Sequence, residues 1–156
     1  MSEKYEKKDR VEYLSGHLKV VESIKNHVLR EFYNEQTEER YRFENLIDKY
    51  IANIKNIANT QENKNDTLAN DALHDCWPLV LIGSMVEVVY LEYDETEILK
   101  IVPPFYQGRG KNIECASCLS PVGNALLLKK IGDKITVRTP LGESSLLIKS
   151  IELPSA

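Results

Sequence analysis

The chain has 156 residues and a formal net charge of −4, with 24 Asp and Glu against 20 Lys and Arg. That length holds one ordinary domain or two small ones, and the absence of any basic run excludes a general nucleic-acid binder, which needs clustered cations to displace counterions. No apolar run approaches the roughly 20 residues of a membrane span, and residues 1–10 have no apolar core of a secretory signal, so the expectation is a cytoplasmic protein.

Composition changes abruptly near residue 77. All 6 prolines lie at Pro78 or later, and of the 7 glycines only Gly16 precedes it. A segment of that length without Pro and almost without Gly reads as helix. Val11, Leu14, Leu18, Val21, Val28 and Phe32 recur at alternating steps of three and four, interrupted only by the polar Lys25. After a polar stretch the pattern restarts at Phe43, Ile47, Tyr50, Ile54 and Ile57. Each seam is too short to hold a lone helix in water, so the two are expected to pack on one another. The short break at 33–39 makes that pairing an antiparallel hairpin with arms of about 25 residues and a reach on the order of 35–40 Å. The polar stretch 61–71 reads as a frayed helix end and a linker, which places a domain boundary between residues 77 and 78.

Beyond Leu79 the periodicity becomes two. Strands are expected at 85–91, 96–102, 112–119, 134–139 and 144–151, with Pro103-Pro104 and Gly108-Arg109-Gly110 marking an irregular loop. Between the third and fourth strands lies Ser120–Gly142. Ser120 is placed as an N-cap and Pro121 as the first helical residue. Val122, Ala125, Leu126 and Leu128 give an apolar face; Lys129 and Lys130 fall in the last turn, and Gly132 is the expected left-handed cap. Thr139-Pro140-Leu141-Gly142 closes the next strand as a type I turn. The fold class is α+β: a helical hairpin, then about five strands with one helix over one sheet face.

The spacing of Ser120-Pro121, Gly123, Ala125-Leu126-Leu127, Lys129, Gly132-Asp133 and Thr139-Pro140-Leu141-Gly142 resembles the signature of the C-terminal domain of bacterial Gre-type (GreA/GreB) transcription elongation factors. The resemblance covers the last third of the chain closely and Leu81–Ile101 more loosely. Leu128 departs from it, standing where the family usually has Gly. The resemblance implies an FKBP-like fold for residues 78–156. It also implies a factor that binds bacterial RNA polymerase and acts through the secondary channel, reaching the nascent RNA 3′ end only indirectly. It implies no contact with duplex DNA, and the chemistry would belong to the polymerase rather than to this chain. No stably bound cofactor is implied, only Mg²⁺ shared with the polymerase active site. A hairpin that seals its own seam is expected to be monomeric.

The break between the seams reads Asn34-Glu35-Gln36-Thr37-Glu38-Glu39. Two carboxylates three apart are hard oxygen donors that can add to carboxylates supplied elsewhere, although a pair alone does not hold Mg²⁺ tightly. Read on its own, Thr37 can be an N-cap with Glu38 and Glu39 at the positive end of the second helix. By the resemblance, Glu35 and Glu38 take the positions of the family's Asp and Glu, which assist the polymerase Mg²⁺ in phosphodiester hydrolysis. A family member that fills the channel without promoting cleavage is the alternative. The resemblance also makes Leu119, Ser120 and Pro121 a docking contact on the channel rim, Leu119 standing where Asp or Asn is common; the local reading is a helix start alone.

Other groupings carry less. Cys115-Ala116-Ser117-Cys118 lies in an expected strand, where residues three apart face opposite ways, and no second pair completes a zinc site. His17 and His27 read as surface residues. Trp77, Tyr90, Tyr93, Phe105 and Tyr106 are the aromatics that an FKBP-like peptide-binding or prolyl-isomerase pocket would have to use, the third reading of the chain.

Overall fold

The computed structural model of the chain describes residues 7–62, 78–106 and 113–154. These fall into two compact units, which divide the chain after residue 75. The expected boundary at 77/78, the linker beyond Glu62, Cys76, Trp77, Gly108-Arg109-Gly110 and Asn112 lie outside the described residues.

The first unit is two helices of 25 residues each, α1 (Lys7–Glu31) and α2 (Glu38–Glu62), about 37 Å long at ~1.5 Å per residue. Residues 32–37 connect them, and a step forward along α1 from His17 to Lys25 moves the partner back along α2 from Tyr50 to Asp48. The helices therefore run antiparallel. Leu14, Val21 and Val28 from α1 meet Phe43, Ile47, Tyr50, Ile51, Ile54 and Ala58 from α2, all buried. Removing such side chains from water stabilises by roughly 1.5–3 kcal/mol each, which neither helix could obtain alone. Lys25, the polar step in the seam, turns outward to an ion pair with Asp48 at 2.6 Å. Phe32 ends the seam only partly covered, 39% exposed.

His17 is the correction in this unit. It is buried rather than superficial, 7% exposed, because residues 14, 17, 18 and 21 share one face of a helix with 3.6 residues per turn. Its Nε2 lies 2.6 Å from the Tyr50 hydroxyl.

The second unit is a sheet of five strands: β1 (Met85–Tyr90), β2 (Glu95–Val102), β3 (Glu114–Ser117), β4 (Lys134–Thr139) and β5 (Gly142–Glu152), in the order β3-β2-β1-β5-β4. β1 pairs antiparallel with β2 and β5, and β4 antiparallel with β5, with a bulge in β5, where Lys149 is the extra residue between the partners of Glu87 and Val88. β2 and β3 pair in parallel, which no hairpin turn allows; Pro103-Pro104 bars one here. Alternate residues Val86, Val88, Leu99, Ile101, Ile135, Val137, Leu146 and Ile148 form the buried face, joined by Leu79, Val80, Leu81 and Ile82.

Helix α3 (Pro121–Leu126) connects the two edge strands β3 and β4 and packs against both. It stops well short of the expected end at Lys130. Leu128 N donates to Val80 O at 2.7 Å and Val80 N to Lys129 O at 2.9 Å, so these peptide groups serve a tertiary pairing and leave the helix. Leu128 takes φ +64, a left-handed conformation that costs a non-glycine residue roughly 1–2 kcal/mol. Gly132 is also left-handed, φ +92, but in the turn that opens β4 rather than as a helix cap. Lys129 and Lys130 thus lie beyond the helix.

Candidate functional site

Two places carry the candidate residues, the connector at the end of the hairpin and the turn that starts α3. In the connector, Thr37 is the N-cap of α2. Its Oγ1 accepts from Arg40 N at 3.2 Å and its carbonyl from Tyr41 N at 3.1 Å. Glu38 and Glu39 occupy the first turn of α2, where negative charge suits the helix dipole. Glu35 lies between the helices, outside that first turn. Glu35, Glu38 and Glu39 are all exposed. The structure thus has a capped, acid-favoured helix start, with Glu35 exposed in the connector that precedes it.

The hairpin end is tied down by a residue that sequence patterning passes over. Arg40 Nη1 donates to Tyr33 O at 2.8 Å and its Nε to Glu44 Oε1 at 2.6 Å. Tyr33 N in turn donates to Val28 O at 3.1 Å, and its ring lies tilted against Phe43, centroids 5.7 Å apart. The one local signal was an Arg four residues before a Glu at a helix start. Among the described residues no group of three or more His, Cys, Asp or Glu could hold a metal ion. Two carboxylates such as Glu35 and Glu38 are too few oxygen donors to hold Mg²⁺ tightly by themselves.

At the start of α3, Ser120 caps the helix with φ −73 and ψ 158. Its Oγ accepts from Gly123 N at 3.1 Å and donates to Ser117 O at 2.7 Å, while Ser120 N also donates to Ser117 O at 2.9 Å. The single hydroxyl proton is therefore spent inside the fold. Gly123 is required here: a Cβ on it would lie 2.0 Å from Ser117 O. Pro121 is exposed and Leu119 half-buried, so of the three docking candidates Pro121 offers the most open surface.

The family model described as "Transcription elongation factor, GreA/GreB, C-term" matches residues 78–153, the whole of this sheet with α3. Residues 78–153 thus carry a GreA/GreB-type C-terminal domain. The match begins at Pro78, one residue before Leu79 of the buried core. Among solved structures, the chain is similar to GreA factor homolog 1 (Gfh1) of Thermus thermophilus, with 18% identity over 94% of this chain and 92% of that one, TM-score 0.42. It is similar to Thermus aquaticus Gfh1, 21% identical over 94% and 91% of the two chains, TM-score 0.45. It is also similar to a GreA/GreB factor from Nitrosomonas europaea, 23% identical over 59% of this chain and 85% of that one, TM-score 0.40. A comparison with curated proteins found no match.

The remaining candidates do not assemble in the Gre-type domain. Cys115 is exposed and Cys118 buried, on opposite sides of the strand end. Burial pushes the Cys118 thiol up to about 11, which keeps it protonated and unreactive at neutral pH. Tyr93 lies before β2 and Phe105 after it, separated by 8 residues of strand, about 26 Å at ~3.3 Å per residue. They cannot line one pocket. Tyr106 instead receives Lys100 Nζ on its hydroxyl at 3.0 Å. No described helix is long and apolar enough to cross a membrane.

Proposed function

We propose that this chain binds RNA polymerase through its Gre-type domain and acts through the secondary channel, with Glu35 and Glu38 promoting cleavage of backtracked RNA. The observation that carries the reading is their placement. Both carboxylates lie at the joined end of a self-sealed helical pair, in a chain whose other unit matches a family of transcription elongation factors. The polymerase owns the reaction in this account. Its Mg²⁺ supplies activation of water and stabilisation of the leaving oxygen, and this chain contributes oxygen donors and their orientation. Leu119, Ser120 and Pro121 form the docking contact, through the exposed Pro121 ring and backbone rather than through the Ser120 proton. The protein works as a monomer, in the compartment of the polymerase, without contacting duplex DNA.

A second reading is favoured by the capped start of α2. Thr37, Glu38 and Glu39 have a structural reason to be present, so the hairpin could fill the channel and modulate elongation without cleavage. One experiment separates the two. The protein is added to backtracked polymerase with Mg²⁺, and the length of the nascent RNA is followed alongside binding. Shortening that falls at least on the order of 100-fold in Glu35→Gln and Glu38→Gln, with binding retained, supports cleavage. Binding without shortening supports the channel-filling regulator, and absence of binding ends the polymerase assignment.

A further inference from the structure

We propose that Arg40 is a positioning residue for the acidic tip, holding the connector so that Glu35 and Glu38 are presented in one arrangement. The inference deepens the cleavage reading above and rests on it. Arg40 closes the connector from two directions. Its backbone N–H is held by Thr37 Oγ1 at 3.2 Å, and its guanidinium reaches back over the connector to Tyr33 O at 2.8 Å. Nε is fixed at the same time by Glu44 Oε1 at 2.6 Å, one turn further along α2. The side chain is only 22% exposed, so the bridge is partly shielded from competing water.

The far end of this clasp is itself anchored. Tyr33 is held through its N–H to Val28 O and through its ring against Phe43, which is wholly buried. Tyr33 and Thr37 are thereby both fixed, and only residues 34–36 remain between them, with Glu35 in the middle. Glu38 follows in the helix whose start the same arginine secures. A short segment pinned at both ends has few conformations left, and the position of its central carboxylate follows from the pins.

The chemistry suits arginine in particular. A planar guanidinium presents five donors in a fixed fork, so it can satisfy a carbonyl and a carboxylate in different directions at once. A lysine ammonium is a point charge on a flexible stem, and one such group cannot hold both partners with the same geometry. Its charge is engaged by Glu44 in this structure. Glu44 is thus part of the clasp, a support for Arg40 rather than a third acid of the tip.

The test uses the full chain carrying Arg40→Met, Arg40→Lys or Glu44→Gln. Three readouts are taken: ¹⁵N relaxation of the 34–36 amides in the free protein, displacement of labelled wild type from polymerase, and RNA shortening at saturating protein across a Mg²⁺ titration. Arg40→Met is expected to keep polymerase affinity within about twofold, to mobilise the 34–36 amides, and to slow cleavage ~10–100-fold with a raised Mg²⁺ requirement. Arg40→Lys is expected not to restore either, and Glu44→Gln to fall between. A purely structural role for Arg40 would weaken binding and helicity together and leave the Mg²⁺ requirement where it was. The proposal is overturned if the amides in Arg40→Met stay as ordered as in wild type, or if it cleaves at the wild-type rate. Should Arg40→Met lose helicity, Glu44→Gln decides by the same criteria. If wild type itself shortens no RNA, the cleavage reading has failed, and ordered amides in both proteins would remove the clasp as well.

Discussion

Acid should loosen the hairpin through a single buried imidazole. His17 is 7% exposed, its Nε2 lies 2.6 Å from the Tyr50 hydroxyl, and the rings meet edge to face at 5.9 Å. Burial pushes its pKa down from 6.5 to about 4, because an imidazolium there would lose its hydration. The unfolded chain binds a proton near pH 6.5 that the folded hairpin refuses. Stability from this residue is therefore fully present above pH 6.5 and is lost as pH falls from there towards 4. A displacement of about 2.5 pH units corresponds to about 3 kcal/mol in full, of which about 2.5 kcal/mol is gone by pH 4.5. Against a total of roughly 5–15 kcal/mol for a small domain, that is a large share.

The assay is thermal or urea unfolding of the full chain, followed by helical ellipticity at pH 7.5 and pH 4.5. Carboxylates elsewhere also begin to titrate at the lower pH, so the quantity to compare is wild type against His17→Leu with Tyr50→Phe. That double change removes the imidazole without stranding the tyrosine hydroxyl in the seam. The helical transition of wild type should lose about 2.5 kcal/mol more than that of the variant. Equal losses would show that His17 is protonated in the folded hairpin or that the seam opens around it, and the argument from burial would fail.

In the Gre-type domain, Gly123→Ala brings a Cβ to 2.0 Å from Ser117 O. Ser117 must move away from the hydrogen bonds of Ser120 N and Oγ, and a loss of about 3 kcal/mol in denaturant unfolding is expected from two displaced bonds and local overpacking. A loss below about 1 kcal/mol would mean that the helix start can slide. At the left-handed Leu128, Leu128→Gly and Leu128→Ala both delete the same half-buried side chain, so their difference isolates the backbone. The glycine variant should be the more stable by about 1 kcal/mol, and an alanine variant of equal stability would contradict the strained geometry.

The two halves of the chain were legible to different depths. Hairpin and sheet follow from periods of 3.5 and two, which are local and need no knowledge of partners. What sequence patterning missed lies at long range. The seam step to Leu18 was visible, but the buried role of His17 depends on Tyr50, 33 residues away. The length of α3 was overestimated because helix propensity through Leu128 and Lys129 is overridden by pairing with Val80. The parallel placement of β3 also escaped, since a strand's alternation is the same whichever neighbour it joins. At the site, the Ser120 cap was legible because capping is local. The need for glycine at 123 was not, since it comes from a strand carbonyl. The pairing of Arg40 with Glu44 had a local signal, but its hold on the connector did not, because that partner is the Tyr33 carbonyl and a carbonyl has no identity in a sequence.

The acidic tip was ambiguous in the sequence because its two explanations call for the same residue types, yet they differ in size. A carboxylate in the first turn of a helix stabilises it by roughly 0.3–1 kcal/mol. Taking that from a fold stable by roughly 5–15 kcal/mol leaves the protein essentially all folded. A 100-fold fall in cleavage at saturating protein is about 2.7 kcal/mol of transition-state stabilisation, and no change in the folded fraction at Glu38 can produce it. Glu35 sharpens the distinction. It sits before the capping Thr37 and outside the first turn of α2, so the dipole gives no account of why an acid should stand there. Loss of cleavage in Glu35→Gln with unfolding unchanged has only the chemical explanation. Intact cleavage in the same variant would leave the acids of the tip with nothing but their structural duty.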